Sequence, residues 1–189
     1  MHFFHHYLIL LAFFIIFNGT LANRPVIVEL ESKLQLAQES PEKIQLYHAI
    51  AQAVIEYQND HEKADSLHLV AIRLAETEGN PGLLVNAYTN YINSFDKGRL
   101  SFKFNEVLNR FRQITDNLQD KELRYKSMKN LCGACINSGQ SCGETYADKV
   151  KLLSESSQEP VKLIEANILK GNCAKSRKKW ELAYSFYSK

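Results

Sequence analysis

Residues 171–189 read GNCAKSRKKWELAYSFYSK. A glycine and a basic run are followed by Trp180, Ala183 and Tyr187 at helical spacing. These residue types suit two antiparallel helices that cross closely. Gly171 lets the neighbouring helix approach, Ala183 fits the crossing, and the aromatics fill the space around it. Stepping back from Gly171 by 39, then 40, then 41 residues gives Cys132, Ile92 and Ala51. Helix-start signals keep the same beat at Pro41, Pro81 and Pro160, with Asp120-Lys121 between the last two. A period of about 40 residues predicts an all-α chain of stacked helical pairs.

The composition agrees with this. The chain has 189 residues, 45% hydrophobic and 23% charged, which argues against disorder. Its formal net charge of +2 implies no polyelectrolyte partner, nucleic acid included. The four prolines stand at boundaries of periodic stretches, as an all-helical chain requires.

The N-terminus carries a different signal. Tyr7 to Phe17 is an unbroken apolar run of 11 residues. A membrane-spanning helix needs roughly 20, whereas a secretory signal peptide has a core of this length. Thr20 and Ala22 supply the small residues of a cleavage site after Ala22. His2, His5 and His6 precede the run where Lys or Arg is usual, so an uncleaved N-terminal anchor is the competing expectation. No cysteine follows the cleavage site to carry a lipid. The expected layout is a signal peptide over 1–22, a leading helix over 23–40 and helical repeats over 41–189. Everything from Asn23 on is expected outside the cytoplasm.

Within Val26–Glu39, Val28, Leu30, Leu34 and Leu36 form an apolar stripe that predicts a helix covering the first pair. Ser40-Pro41-Glu42 offers an N-cap serine, a first-turn proline and an acid. Ile44, Tyr47, Ile50, Ala51, Val54 and Ile55 then follow at helical spacing, and Asn59-Asp60 breaks the run. The second helix carries Ala64, Leu67, Ala71, Leu74 and Ala75, and Gly79 ends it. In the second pair, Leu84, Ala87, Tyr88, Tyr91, Ile92 and Phe95 face Phe104, Val107, Leu108, Phe111 and Ile114. Phenylalanines replace alanines there, so these helices are expected to sit further apart or to cross at a different angle. The third pair runs from about Asp120 through Met128 and Cys132, and its second helix holds Tyr146 and Val150. The fourth starts at Glu159-Pro160 and turns at Lys175, Arg177, Lys178 and Lys179.

On these residues the chain resembles a tetratricopeptide-repeat (TPR) array over 26–189. It is particularly similar to exported N-terminal repeat regions that precede a membrane segment in some bacterial sensor histidine kinases. The resemblance is carried by Gly171, Trp180, Ala183 and Tyr187, then by Ala51, Ala64 and Ala71, with Ile92 and Cys132 at the matching positions of the middle pairs. It implies a right-handed superhelix whose concave face, lined by the first helix of each pair, binds peptides or partner proteins. It implies no catalysis, cofactor or metal in the repeats. Asn86, Tyr88, Asn90, Tyr91 and Asn93 are the candidate partner-binding residues, since Tyr88 and Tyr91 share a helix face and tyrosine gives rigid amphipathic contact area.

The remaining clusters are weighed residue by residue. Cys132, Cys135, Cys142 and Cys173 suit three readings: small core residues, a zinc site, or a disulfide between Cys135 and Cys173 on first helices of adjacent pairs. Asp60-His61-Glu62 reads as a helix-capping turn, and His68 as a partly exposed packing residue. Gly139 to Thr145 has no lysine after its second glycine, so it is a tight turn and no phosphate loop. The basic cluster 175–179 reads as a solvated turn. No nucleophile–base signature supports a hydrolase. The expected function is protein or peptide binding in the extracytoplasmic part of a membrane-anchored signalling protein. A free-standing secreted or periplasmic scaffold is the alternative. The apolar residues of 180–189 have one neighbouring pair to cover them, which predicts further repeats beyond Lys189 or self-association through this helix.

Overall fold

The computed structural model describes residues 24–95, 103–157 and 159–188. The signal peptide expected over residues 1–22 lies outside the described residues. Those described contain α-helices and no strand. They fall into two compact units, one ending at Glu78 and the other beginning at Gly79.

The first unit holds α1 (Arg24–Leu36), α2 (Ser40–Gln58) and α3 (His61–Glu78). Proline in the first turn suits the start of α2, because that position needs no intrahelical N–H bond. Ser40 itself is helical, and no side chain caps this end. Asn59 takes the left-handed conformation (φ 52°) that ends α2. Asp60 then opens α3 by accepting a hydrogen bond from the Lys63 N–H at 2.9 Å. This is the capping turn expected around His61.

Alanine governs the packing of α2 on α3. Ala51, Ala64, Ala71 and Ala75 are each fully buried. Ala64, His68, Ala71 and Ala75 recur at helical spacing on one face of α3, so small side chains let the two helices run in close contact. Ile27 of α1 joins Ile50, Ala51, Ala53, Val54 and Ala64 in one cluster, flanked by Leu30 and Leu34. The leading helix therefore covers the first pair, but through Ile27, Leu30 and Leu34. Val28 and Leu36 point outward, Leu36 at 80% exposure. The stripe is rotated because Ile27, ahead of the expected set, carries the packing.

The second unit comprises α4 (Pro81–Asn93), α5 (Phe104–Asn117), α6 (Lys121–Asn137), α7 (Cys142–Ser157), α8 (Pro160–Ser176) and α9 (Trp180–Tyr187). Gly79 adopts φ +66° before Asn80, whose side chain accepts from the N–H groups of Gly82 (2.8 Å) and Leu83 (3.2 Å). Asp120 caps α6 in the same way through Leu123 N–H (2.8 Å). Gly139, at φ +73°, turns the chain between α6 and α7. Each helix packs on the next, and α4, α6 and α8, the first helices of successive pairs, also touch in sequence.

The α4–α5 pair is built from aromatics. Tyr88 stacks on Phe111 with ring centroids 5.3 Å apart, and Tyr91 lies against Phe95 and Phe104. The backbones of α4 and α5 come close at fewer positions than those of α2 and α3. Tyr88 and Tyr91 are completely buried in this layer. They are core residues and present nothing to a partner.

At α9, Ala183 is buried on α8 as expected. Gly171 serves the approach of one ring: a Cβ at this position would lie 2.2 Å from Tyr187 Cε1. Tyr187 also donates a hydrogen bond from its hydroxyl to Asn172 Oδ1 at 2.7 Å. Gly171→Ala is therefore expected to destabilise the chain by roughly 1–3 kcal/mol through overpacking. Gly171→Ala combined with Tyr187→Ala should recover part of that loss. Equal urea midpoints for Gly171→Ala and the parent would show that Tyr187 moves aside freely.

Candidate peptide-binding groove

Helices α4, α6 and α8 are joined by polar bonds that repeat the sequence period. Lys126 Nζ donates to Asn86 Oδ1 at 2.9 Å, across 40 residues. Asn130 Nδ2 donates to Thr89 Oγ1 at 2.8 Å, across 41. Tyr125 donates its hydroxyl to Glu165 Oε2 at 2.7 Å, across 40. Lys162 pairs with Glu122, again across 40. Residues 40 or 41 apart on α4, α6 and α8 thus meet directly.

The α6–α8 junction is the more charged of the two. Lys129 Nζ lies 2.6 Å from Glu165 Oε1. Glu165 is held below the usual carboxylate range by Lys129 first, then by Tyr125. Burial pushes the Tyr125 hydroxyl up, and its bond to Glu165 adds to the shift. Lys162 is raised by its bonds to Glu122 and Glu159. Ser154 of α7 donates to the Lys162 carbonyl at 3.0 Å, so that stretch of α8 backbone is fixed from both sides.

Two clefts open along α6. One, of about 540 Å³, is lined by Gly82 of α4 and by Glu122, Tyr125, Lys126 and Lys129 of α6. The other, of about 410 Å³, lies between Gly133, Ile136 and Asn137 of α6, Leu169 and Asn172 of α8, and Trp180. Glu122, Lys126, Lys129, Gly133 and Asn137 are spaced 4, 3, 4 and 4 residues apart. That spacing puts them on one helix stripe roughly 22 Å long, so the two clefts share a single face of α6. The stripe is charged toward the start of the helix. Toward its end it is less charged, and Trp180 borders it there.

Asn86, Asn90 and Asn93 are exposed on α4, and Asn86 stands on this face through its bond to Lys126. Tyr88 and Tyr91 point the opposite way, into the aromatic layer. Trp180 does not fill the α8–α9 crossing as expected; it is 61% exposed and borders the second cleft. Lys126, Lys129, Tyr125 and Leu169 were not among the sequence candidates. Adding 40 to Asn86 leads to Lys126, a signal already contained in the repeat.

The cysteines separate into two kinds. Cys135 and Cys142 form a disulfide, with Cα atoms 5.7 Å apart. Cys173 is not the partner of Cys135, because the turn after Asn137 brings Cys142 back onto α6. Arg112 of α5 donates to Gln140 Oε1 at 2.9 Å and lies 2.7 Å from Cys142 Sγ, tying α5 to this turn. Cys132 and Cys173 are buried thiols. Among the described residues no group of three or more His, Cys, Asp or Glu side chains is arranged to hold a metal ion. No described helix is long and apolar enough to cross a membrane. Arg177 of the basic turn pairs with Glu144 and donates to the Ser141 carbonyl, while Lys175, Lys178 and Lys179 are exposed.

Correction is also needed at His68. It is 1% exposed, and its Nδ1 lies 2.6 Å from Nδ1 of His48. At least one ring nitrogen of such a pair carries no proton, so that one N–H···N bond forms.

No protein-family model matches the chain, and no curated protein matches it.

Proposed function

We propose that the chain is a non-catalytic TPR-like domain that binds a protein or peptide segment on the face formed by α4, α6 and α8. The observation that carries this is the 40-residue ladder of bonds between first helices, which makes one continuous surface from the repeats. A right-handed superhelix with this surface on its concave side belongs to the same proposal. Lysines and carboxylates along α6 would meet polar groups of the ligand, and Trp180 would serve as a rigid aromatic anchor. The Cys135–Cys142 disulfide favours an exported domain, because such bonds persist in oxidising compartments. An extracytoplasmic sensory role in a membrane-anchored signalling protein is the setting this best suits.

Displayed peptide libraries panned against the purified chain test the proposal. Selected peptides should lose about tenfold or more in affinity on Trp180→Ala, the size of a truncated anchor. Lys129→Glu should weaken them as well, while the helical circular dichroism stays unchanged. Ligands indifferent to both substitutions would place binding elsewhere.

A further inference from the structure

Cys132 of α6 and Cys173 of α8 stand 41 residues apart, on the repeat beat, with sulfurs 3.8 Å from each other. We propose that this pair is a latent second disulfide, a site that takes a low-molecular-weight disulfide as its oxidant and closes into a covalent clamp between successive first helices. The sulfurs need to approach by roughly 1.8 Å to reach bonding distance.

The two thiols differ in their surroundings. Cys132 is fully buried, and its S–H can reach the Gly143 carbonyl at 3.2 Å as well as Cys173. Cys173 borders a small cavity of about 50 Å³, lined by Glu144, Lys170, Arg177, Lys179, Leu182 and Phe186. The Cys132 S–H lowers the Cys173 thiol, with Arg177 acting the same way and burial, Glu144 and Asp148 acting against it. Cys132 itself is pushed up by its bond to Cys173 and by burial. Cys173 borders the cavity while Cys132 is fully buried, so the oxidant meets Cys173 first: it is the attacking thiol and Cys132 the resolving one.

The chemistry closes without a further reactant. The Cys173 thiolate attacks one sulfur of the oxidant RSSR, forming Cys173–S–S–R and releasing RS⁻. Cys132 gives up its proton and attacks Cys173 Sγ, expelling a second RS⁻. The pair loses two electrons and two protons, and the oxidant leaves as two RSH. The product joins α6 to α8 beside the cleft bordered by Gly133 and Asn172. Nothing in this step requires that the cleft bind a peptide.

Oxidised glutathione is the probe. Alkylation under denaturing conditions should count two thiols in the chain before treatment and none after. Its mass should fall by two hydrogens, and a Cys132–Cys173 linked peptide should appear beside the Cys135–Cys142 one. A chain isolated with that bond already closed supports the site equally. Cys132→Ser should trap one glutathionyl group on Cys173, whereas Cys173→Ser should leave Cys132 a thiol. Cys132→Ala and Cys173→Ala repeat the test should serine disturb the packing. Two alkylatable thiols persisting in folded, oxidant-treated chain would overturn the proposal. So would a Cys135–Cys173 linkage, or an adduct on Cys132 in place of Cys173.

Discussion

Between pH 6.5 and 5 the first unit should lose stability by about 2 kcal/mol for each of two buried histidines, at 1.36 kcal/mol per pH unit. His48 and His68 are held neutral in the α2–α3 interface, their rings 4.9 Å apart. Burial lowers His48 to about 4 and His68 to about 3, and the His48 charge adds to the effect on His68. In the unfolded chain both take a proton near pH 6.5. The unfolded state therefore binds more protons below that pH. The stability is fully present above pH 6.5 and is lost as pH falls toward the folded values. Domains are typically stable by only 5–15 kcal/mol, so this pair can govern acid unfolding.

Asp65, buried on α3 one turn before His68, is the nearest acid along that helix, and α2 buries no acid beside His48. Urea midpoints should fall from pH 7 to 5, with amide protection factors, corrected for the intrinsic exchange rate at each pH, falling across residues 40–78. Replacing both rings, His48→Leu with His68→Leu, should flatten the dependence. A parent midpoint that stays constant from pH 7 to 5 would show that the pair accepts a proton in place.

Phe111→Ala should cost about 3–5 kcal/mol, the range for removing a buried aromatic side chain. Phe111 is fully buried and stacked on Tyr88. The α4–α5 pair is spaced by rings, so a methyl group at 111 leaves a void that the flanking helices cannot close without breaking their bonds to α6. Those bonds are the Lys126–Asn86 and Asn130–Thr89 rungs. Chemical denaturation should show the loss, and amide exchange should place it first in peptides from α4 and α5. Phe111→Leu should cost less, since it refills part of the space. A loss below about 1 kcal/mol for Phe111→Ala would mean that Tyr88 alone sets the spacing.

Much of the helical framework was legible in local sequence. Pro41, Pro81, Asp120 and Pro160 mark first turns because proline lacks the N–H that those positions leave unpaired, or because a carboxylate can accept one. Gly79 and Asn59 mark ends through left-handed backbone. Such signals act within four residues and need no partner. The small residues were equally readable: Ala51, Ala64, Ala71 and Ala183 are all buried.

The face proposed for binding was less legible. Helix α4 is apolar around much of its circumference, with Val85, Ala87, Tyr88, Tyr91 and Ile92 all buried. Helical period alone cannot rank the sides of such an element. Asn86 was recoverable because it is polar within that apolar surround. Tyr88 and Tyr91 were not, since an amphipathic ring suits a core and a groove alike. Trp180 presents the reverse case: its size suggested core, but the turn at Lys178, with φ +60°, leaves it at the rim of a cleft.

The sequence by itself determined the helices, their order, the period of about 40 residues and the small residues at the crossings, because each follows from backbone chemistry or from spacing along one helix. Tertiary structure alone decided the pairings between distant side chains. Successive helix residues point about 100° apart. A rotation of one position therefore exchanges every neighbour across an interface. That rotation decides that His68 meets His48, that Cys135 meets Cys142, and that Cys132 is left facing Cys173.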